Sequence, residues 1–294
     1  MKLGIGHSYF HESDGTQNVE KGAVRMRTHG YEYLDFNETA HTDGPLYAVE
    51  DEREFIKKVE EWKTVLDACG LKVYQIHGPW VGDRYDKTPE GRENRFEKMS
   101  LSLLAASMLG ARYMAIHPLM PFGANSPDRP DEVRHINVDF FRRLSRVAAP
   151  LGVTICLENM PFPDYPFSDV PSIVSLIREI DCDNVRMCLD VGHANIFPMP
   201  LGECVRYIGR ELLCILHIHD NVGEIDEHLF PYDGTADLDG FAQALREIGF
   251  DGVINIETDV RWRDGETDEE HEARERDLAS RAKHVADVAV GAPL

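Results

Sequence analysis

The sequence is poorest in the features that would tie a chain to a membrane, to nucleic acid or to a redox scaffold. No apolar run reaches the roughly 18 residues that a bilayer span requires, and Met1 to Gly6 lack the apolar stretch and cleavage site of a secretory signal. These absences predict a cytoplasmic protein with no membrane partner. Basic residues are few: 31 Lys and Arg stand against 52 Asp and Glu, for a formal net charge of −21. A surface of that sign repels polyanions, so nucleic acid is not expected as a partner. The six cysteines, Cys69, Cys156, Cys182, Cys188, Cys204 and Cys214, form no C-x-x-C pair. Several lie in apolar runs such as Thr154 to Leu157, and they read as small buried thiols, not as disulfides or zinc-finger ligands. A glycine-rich phosphate loop is missing after the first β-rich run, where His7-Ser8-Tyr9-Phe10-His11 stands instead. That weighs against an open, doubly wound nucleotide-binding sheet.

What the chain does have is repetition. An amphipathic segment, a glycine or Asn/Asp turn and a short β-rich run recur along it. Gly30 precedes Tyr31 to Leu34, Gly70 precedes Leu71 to Ile76, Gly110 precedes Ala111 to Ile116, Gly152 precedes Val153 to Leu157, and Gly249 precedes Gly252 to Ile256. A glycine placed there closes a helix in the left-handed conformation before the chain enters a strand. The pattern predicts eight strands, at about 2–7, 31–36, 72–77, 111–117, 153–158, 185–190, 212–219 and 252–257. Helices are predicted at about 18–29, 49–69, 91–109, 131–149, 170–180, 201–210, 237–248 and 267–288. Strict alternation repeated eight times predicts an α/β fold, a single-domain (β/α)8 TIM barrel spanning residues 1–294. The length agrees with the ~250 residues typical of that fold.

In such a barrel the active site forms at the C-terminal ends of the strands, so the residues that end each run are the informative ones. In order they are His7, Asp35 with Asn37, His77, His117, Glu158 with Asn159, Asp190 with His193, His217 with His219, and Glu257. A single polar residue after a strand is usually a turn former or helix cap. Eight in succession, dominated by His and carboxylates, point to a shared site. Adjacent ends of strands five to eight would bring Glu158, Asp190, Glu257 and one histidine together, and period-2 alternation puts His217 and His219 on one side of their strand, so both can point into the mouth. An oxygen-rich set with one imidazole and no thiolate suits Mn²⁺, Co²⁺ or Mg²⁺, with Zn²⁺ less favoured. A bound cation would also relieve the repulsion among three carboxylates.

These residues, and above all Leu157-Glu158-Asn159, Cys188-Leu189-Asp190-Val191-Gly192-His193-Ala194-Asn195 and His217-Ile218-His219-Asp220-Asn221, are similar to the xylose isomerase-like barrel superfamily. That group holds sugar and sugar-phosphate isomerases and epimerases, inosose dehydratase and apurinic-site endonucleases. The resemblance to its epimerase branch implies one divalent metal held by Glu158, Asp190, His217 and Glu257, with His219 as the reserve ligand on strand seven. It further implies that Glu158 and Glu257 act as general base and general acid on a small-molecule sugar, one removing a proton beside a carbonyl and the other returning it. His77, His117, His193, His219, Asp226 and His228 would then bind substrate oxygens, and Trp80 would wall the sugar face. The same first step would serve a lyase, hydratase or deglycosidase acting on a 3-keto sugar or glycoside. The endonuclease branch uses up to three zinc ions, and its additional ligand types have counterparts at His77, His117, His193, Asp226 and His228. No Arg/Lys-rich, Gly/Ser-rich loop follows strands seven or eight, which favours an unphosphorylated substrate. A homo-oligomer is compatible with the resemblance, although no interface stripe is visible in the sequence.

Overall fold

The computed structural model describes residues 1–80, 86–124 and 128–292. Its strands are β1 (Lys2–Ile5), β2 (Tyr31–Phe36), β3 (Lys72–His77), β4 (Tyr113–Ile116), β5 (Thr154–Glu158), β6 (Val185–Asp190), β7 (Leu213–His217) and β8 (Val253–Ile256). The helices between and after them are α1 (Val19–Thr28), α2 (Glu52–Ala68), α3 (Pro89–Leu109), α4 (Pro130–Leu151), α5 (Val170–Ile180), α6 (Val191–Asn195), α7 (Leu201–Leu212), α8 (Leu238–Glu247) and α9 (Asp268–Val290). All strand pairs are parallel, in the order β7-β6-β5-β4-β3-β2-β1-β8. Ile218 closes the remaining gap between β7 and β8: its N–H donates to the Asn255 carbonyl at 3.0 Å, and its own carbonyl accepts from the Glu257 N–H at 3.0 Å. The architecture is the single-domain TIM barrel that the alternation predicts.

The local signals behave as their chemistry requires. Gly30, Gly70, Gly110, Gly152 and Gly249 all have φ between 67° and 88°, the left-handed region in which a side chain is disfavoured. Helix starts are set by side-chain caps: Asn18, Asp51, Thr88, Asp169, Asp237 and Thr267 each accept a backbone N–H from the first turn. Apolar faces of the helices bury against the outside of the strands in one continuous core. All six cysteines are free. Among the described residues no helix is long and apolar enough to cross a membrane.

Two local readings change. The first strand ends at Ile5, and His7–Phe10 form a turn of 3-10 helix. Tyr9 and Phe10 are drawn into the core there, a tertiary effect that period-2 reading cannot detect. The connection after β6 contains the five-residue helix α6, too short to register as a periodic segment.

Candidate functional site

Inward-facing residues stack in layers. Ala115, Cys156, Cys188 and Ile215 form one small buried cluster. Two residues further along the same strands, His117, Glu158, Asp190 and His217 form the layer above, at the barrel mouth, and all four are buried. On the other side of the barrel Asp35, Gln75 and Asn255 are joined, with Asp35 Oδ2 accepting from Gln75 Nε2 and from Asn255 Nδ2, both at 2.9 Å.

Glu158, Asp190, His217 and Glu257 converge, each offering one ligand atom within 4.8 Å of the others. His217 is the hub: its Nδ1 lies 3.0 Å from Glu158 Oε1 and 3.1 Å from Glu257 Oε2, and its Nε2 lies 3.3 Å from Asp35 Oδ2. Asp35 thus faces the imidazole from behind, while Nε2 makes no hydrogen bond. Its signal in the sequence was its place at the end of β2, which marked it as polar without indicating a partner. Burial alone would raise the Glu158 carboxyl, but His217 and His117 more than offset it and hold the acid well below the usual carboxylate range. Glu158 Oε2 is buried and makes no hydrogen bond, although His77 Nε2 and His117 Nε2 are each 3.5 Å away. An orphaned carboxylate oxygen beside two imidazole nitrogens is a donor set that a cation would satisfy, so the residues fit a divalent metal.

One thiol stands beside the ligands, in a set that the sequence reads as free of thiolate. Cys188 brings a potential ligand atom within 4.8 Å of those of Glu158 and His217. Burial pushes its thiol well above the usual range, so it stands there as a neutral group and the oxygen-rich character of the set is kept.

A second group lies above the first. His193, His219, Asp226 and His228 also have ligand atoms within 4.8 Å of one another. His219 is therefore placed away from His217, with its Nε2 3.1 Å from Asp190 and 3.5 Å from Asp226 Oδ1. Three histidines of the mouth share one device: Nδ1 of His77, His193 and His228 donates to the backbone carbonyl of Gly78, Asn159 and Glu257, at 2.7, 2.8 and 2.7 Å. That bond fixes the orientation of the ring and turns Nε2 into the cleft. Burial opposes charge on His193, but Asp190 and then Asp226 push it up to about 10; Asp226 likewise raises His228 to about 9 against its burial. His228 holds its position at a φ of 49°, left-handed strain of the kind that gathers at functional sites.

The D-x-x-H spacing has a simple cause. Asp190 caps α6, its carboxylate accepting from the His193 N–H at 2.6 Å, so the two residues share one helical turn. Asn159 locks the pair to β5 by accepting from Asp190 N and donating to the Asp190 carbonyl, both at 2.9 Å. Gly192 is required within that turn because a Cβ there would overlap the His219 ring.

Asp220, the end of the H-x-x-D pattern, does not enter the site. Buried at 0 % exposure, it accepts from the backbone N–H groups of Asn221, Ala236, Tyr232 and Gly234 at 2.8 to 3.0 Å. It thereby folds the loop that carries Asp226 and His228. Asp220→Ala is expected to cost roughly 3 kcal/mol, since several donors to a charged acceptor are lost at once. Thermal melting checks the size, and limited proteolysis should cut first within 221–236.

Trp80 is 39 % exposed and its ring centroid lies 4.3 Å from that of His117. With His77, His193, Phe162, Asp226 and His228 it lines a cavity of about 360 Å³ over Glu158 and Glu257. His41 lines it too, and His11 lines the adjoining space.

Comparison with known proteins places this geometry. The model of the xylose isomerase-like TIM barrel family matches residues 24–281. D-psicose 3-epimerase of Ruminiclostridium cellulolyticum is 28 % identical over 271 residues, 89 % of this chain and 85 % of that protein. Inosose isomerase of Bacillus subtilis is 28 % identical over 51 % of this chain and 54 % of that protein. The chain thus spans about half the length of the Bacillus relative, and 63 % of an uncharacterised relative from Methanocaldococcus jannaschii. The structure of 3-keto-D-glucoside 4-epimerase from E. coli superposes with a TM-score of 0.74 at 22 % identity, covering 97 % of this chain and 99 % of that one; at that identity it shows a common fold.

Proposed function

The chain belongs to the xylose isomerase-like TIM barrel family, and on that basis we propose that it is a divalent-metal-dependent isomerase or epimerase acting on a sugar or keto-sugar. The reaction is removal of the proton beside a carbonyl and its return to a neighbouring position or to the opposite face. Relatives named as an epimerase and an isomerase support this reading.

Glu158, Asp190, His217 and Glu257 would hold the cation; their oxygen-rich donor set favours Mn²⁺, Co²⁺ or Mg²⁺, with Zn²⁺ next. When bound, the cation supplies Lewis acidity that lowers the cost of negative charge developing on the substrate carbonyl oxygen. One observation carries the proposal: Glu158 Oε1 and Glu257 Oε2 approach one point, His217 Nδ1, from β5 and from just beyond β8, at 3.0 and 3.1 Å. Two carboxylates facing a common position from different strands can act on a substrate carbon from two sides, one accepting the proton and the other delivering it. Both carboxylates line the cleft, Glu257 with a side chain 21 % exposed and Glu158 with one 1 % exposed. Glu257 is therefore the more open of the two to an incoming substrate. His77, His117, His193, His219, Asp226 and His228 would hold hydroxyl groups, and the exposed face of Trp80 would pack against a sugar ring.

The test is solvent exchange. Protein loaded with Mn²⁺ is incubated in D₂O with a panel of ketoses and keto-sugars, and deuterium on carbon is followed by NMR. Exchange that stops on chelation and returns with the metal is the expected result; a fully loaded protein that exchanges none of them would overturn the proposal.

The second group of ligands favours one other reading, a zinc-dependent phosphodiesterase of the apurinic-site endonuclease kind, because His193, His219, Asp226 and His228 could hold a further ion. The net charge of −21 opposes it, since duplex DNA is bound mainly by phosphate neutralisation. Oligonucleotide carrying an abasic site is expected to remain uncut.

A further inference from the structure

The cleft does not end at the candidate metal ligands. A second lobe of about 670 Å³ opens beside the cavity of about 360 Å³ already described. Asn37, His41, His228 and Glu257 line both, so the two lobes adjoin at Glu257. Each lobe taken alone is within the ~300–1,000 Å³ that complete ligand sites occupy. A single hexose in the first would leave the larger lobe to water.

The wall of the second lobe is rich in polar side chains. His7 Nε2 accepts from the Asn37 N–H at 3.4 Å, which leaves Nδ1–H to donate to Glu38 Oε1 at 3.2 Å. That hydrogen bond holds the Glu38 carboxyl below its ordinary range and keeps it a fixed acceptor. Ser8, 9 % exposed, lines the lobe, and its Oγ makes no hydrogen bond within the protein; Asn37 Oδ1, also in the wall, is likewise buried and unpartnered. Gln17 adds a side chain that both donates and accepts. Among the described lining residues Arg261 is the one Lys or Arg, and its Nε lies 3.1 Å from Asp259 Oδ2. With Glu38, Glu257 and Asp259 in the same wall, the lobe disfavours phosphate and carboxylate groups.

We propose that this lobe binds a second, neutral, polyhydroxylated unit, so that the substrate is a glycosylated keto-sugar with its reacting carbon at Glu158 and Glu257 and its glycosyl group against Glu38, Ser8 and Asn37. The proposal rests on the sugar reading above. Binding energy from the remote unit serves the reacting centre, so truncated substrates lose kcat as well as KM.

Protein loaded with Mn²⁺ is compared on D-fructose and on three disaccharides in which glucose is joined to fructose: maltulose, leucrose and isomaltulose. Carbon-bound deuterium in D₂O gives kcat/KM, and calorimetric titration gives Kd. At least one disaccharide should exceed fructose by about tenfold or more in kcat/KM, and Glu38→Ala should lower that ratio about tenfold. Gln17→Ala, a change at the rim, should lower it in the same direction by less. Equal use of fructose and all three disaccharides would overturn the second lobe while leaving the proton-abstraction reading intact, as would a Glu38→Ala variant that loses both kinds of substrate alike. A disaccharide that binds about tenfold tighter than fructose without any exchange would uphold the lobe and overturn that reading. No binding of any disaccharide would overturn the lobe.

Discussion

Glu257→Gln is expected to lower carbon–hydrogen exchange by about 10³-fold, within the 10²–10⁴ that a positioned acid or base contributes. The substitution keeps the shape of the side chain and removes its charge and basicity, and with them the charge of one of the four ligands, so exchange is measured at saturating Mn²⁺. Glu257 lies just past β8, with its backbone N–H bound to the Ile218 carbonyl, so the closure of the barrel is unaffected. His217 Nδ1 keeps Glu158 Oε1 at 3.0 Å, so no buried imidazole is left without a partner. The melting temperature should stay near that of the parent protein while kcat falls much further than KM changes, the signature of an interaction made chiefly in the transition state. Deuterium exchange and thermal melting on the same preparation check both halves. Undiminished turnover would remove Glu257 from the chemistry.

Asp190→Asn should release the metal. Asp190 serves three neighbours at once: it is one of the four convergent ligands, it lies 3.1 Å from His219 Nε2, and it caps α6 through the His193 N–H at 2.6 Å. An amide can still cap the helix through its oxygen, but it brings no charge, and its NH₂ opposes the histidines. The Asp190 carboxyl is held below its usual range, against the effect of burial, by His193 and His219, so those groups depend on its charge. Metal affinity should drop by more than the roughly 10–100-fold that loss of an outer-shell partner causes. Titration with Mn²⁺ measures the loss, and far-ultraviolet circular dichroism should show the barrel unchanged.

Much of this arrangement was legible in the sequence because a barrel converts order along the chain into position around a ring. His77, Glu158, Asp190 and His217 each end their strand, and His117 and Glu257 come one residue later. Alternation tells which side of the sheet a residue faces, but not how deep it sits. His217 and His219 both face the mouth, yet two residues of strand advance the chain by about 6.6 Å. That step moves His219 out of the first ligand group and into the second. Asp220 shows a different limit. Its four donors are spread over residues 221 to 236, and no short spacing encodes a carboxylate that collects a distant loop. Asp35 was visible as a strand end, but its contact with His217 crosses the barrel from β2 to β7 and depends on closure. Cys188 stands in an apolar run that marks only a core thiol; its place beside the ligands follows from lying two residues below Asp190 on the inward face of β6.

The central claim is one metal ion held by Glu158, Asp190, His217 and Glu257 for chemistry on a sugar. Elemental analysis of purified, chelator-free protein by inductively coupled plasma mass spectrometry, normalised to chain concentration, tests it most directly. The account predicts about one divalent ion per chain, most readily Mn, Co or Mg, and its loss in Asp190→Asn. Two or three zinc ions per chain would contradict it: the group of His193, His219, Asp226 and His228 would then be a metal centre, and the phosphodiesterase reading would take the lead.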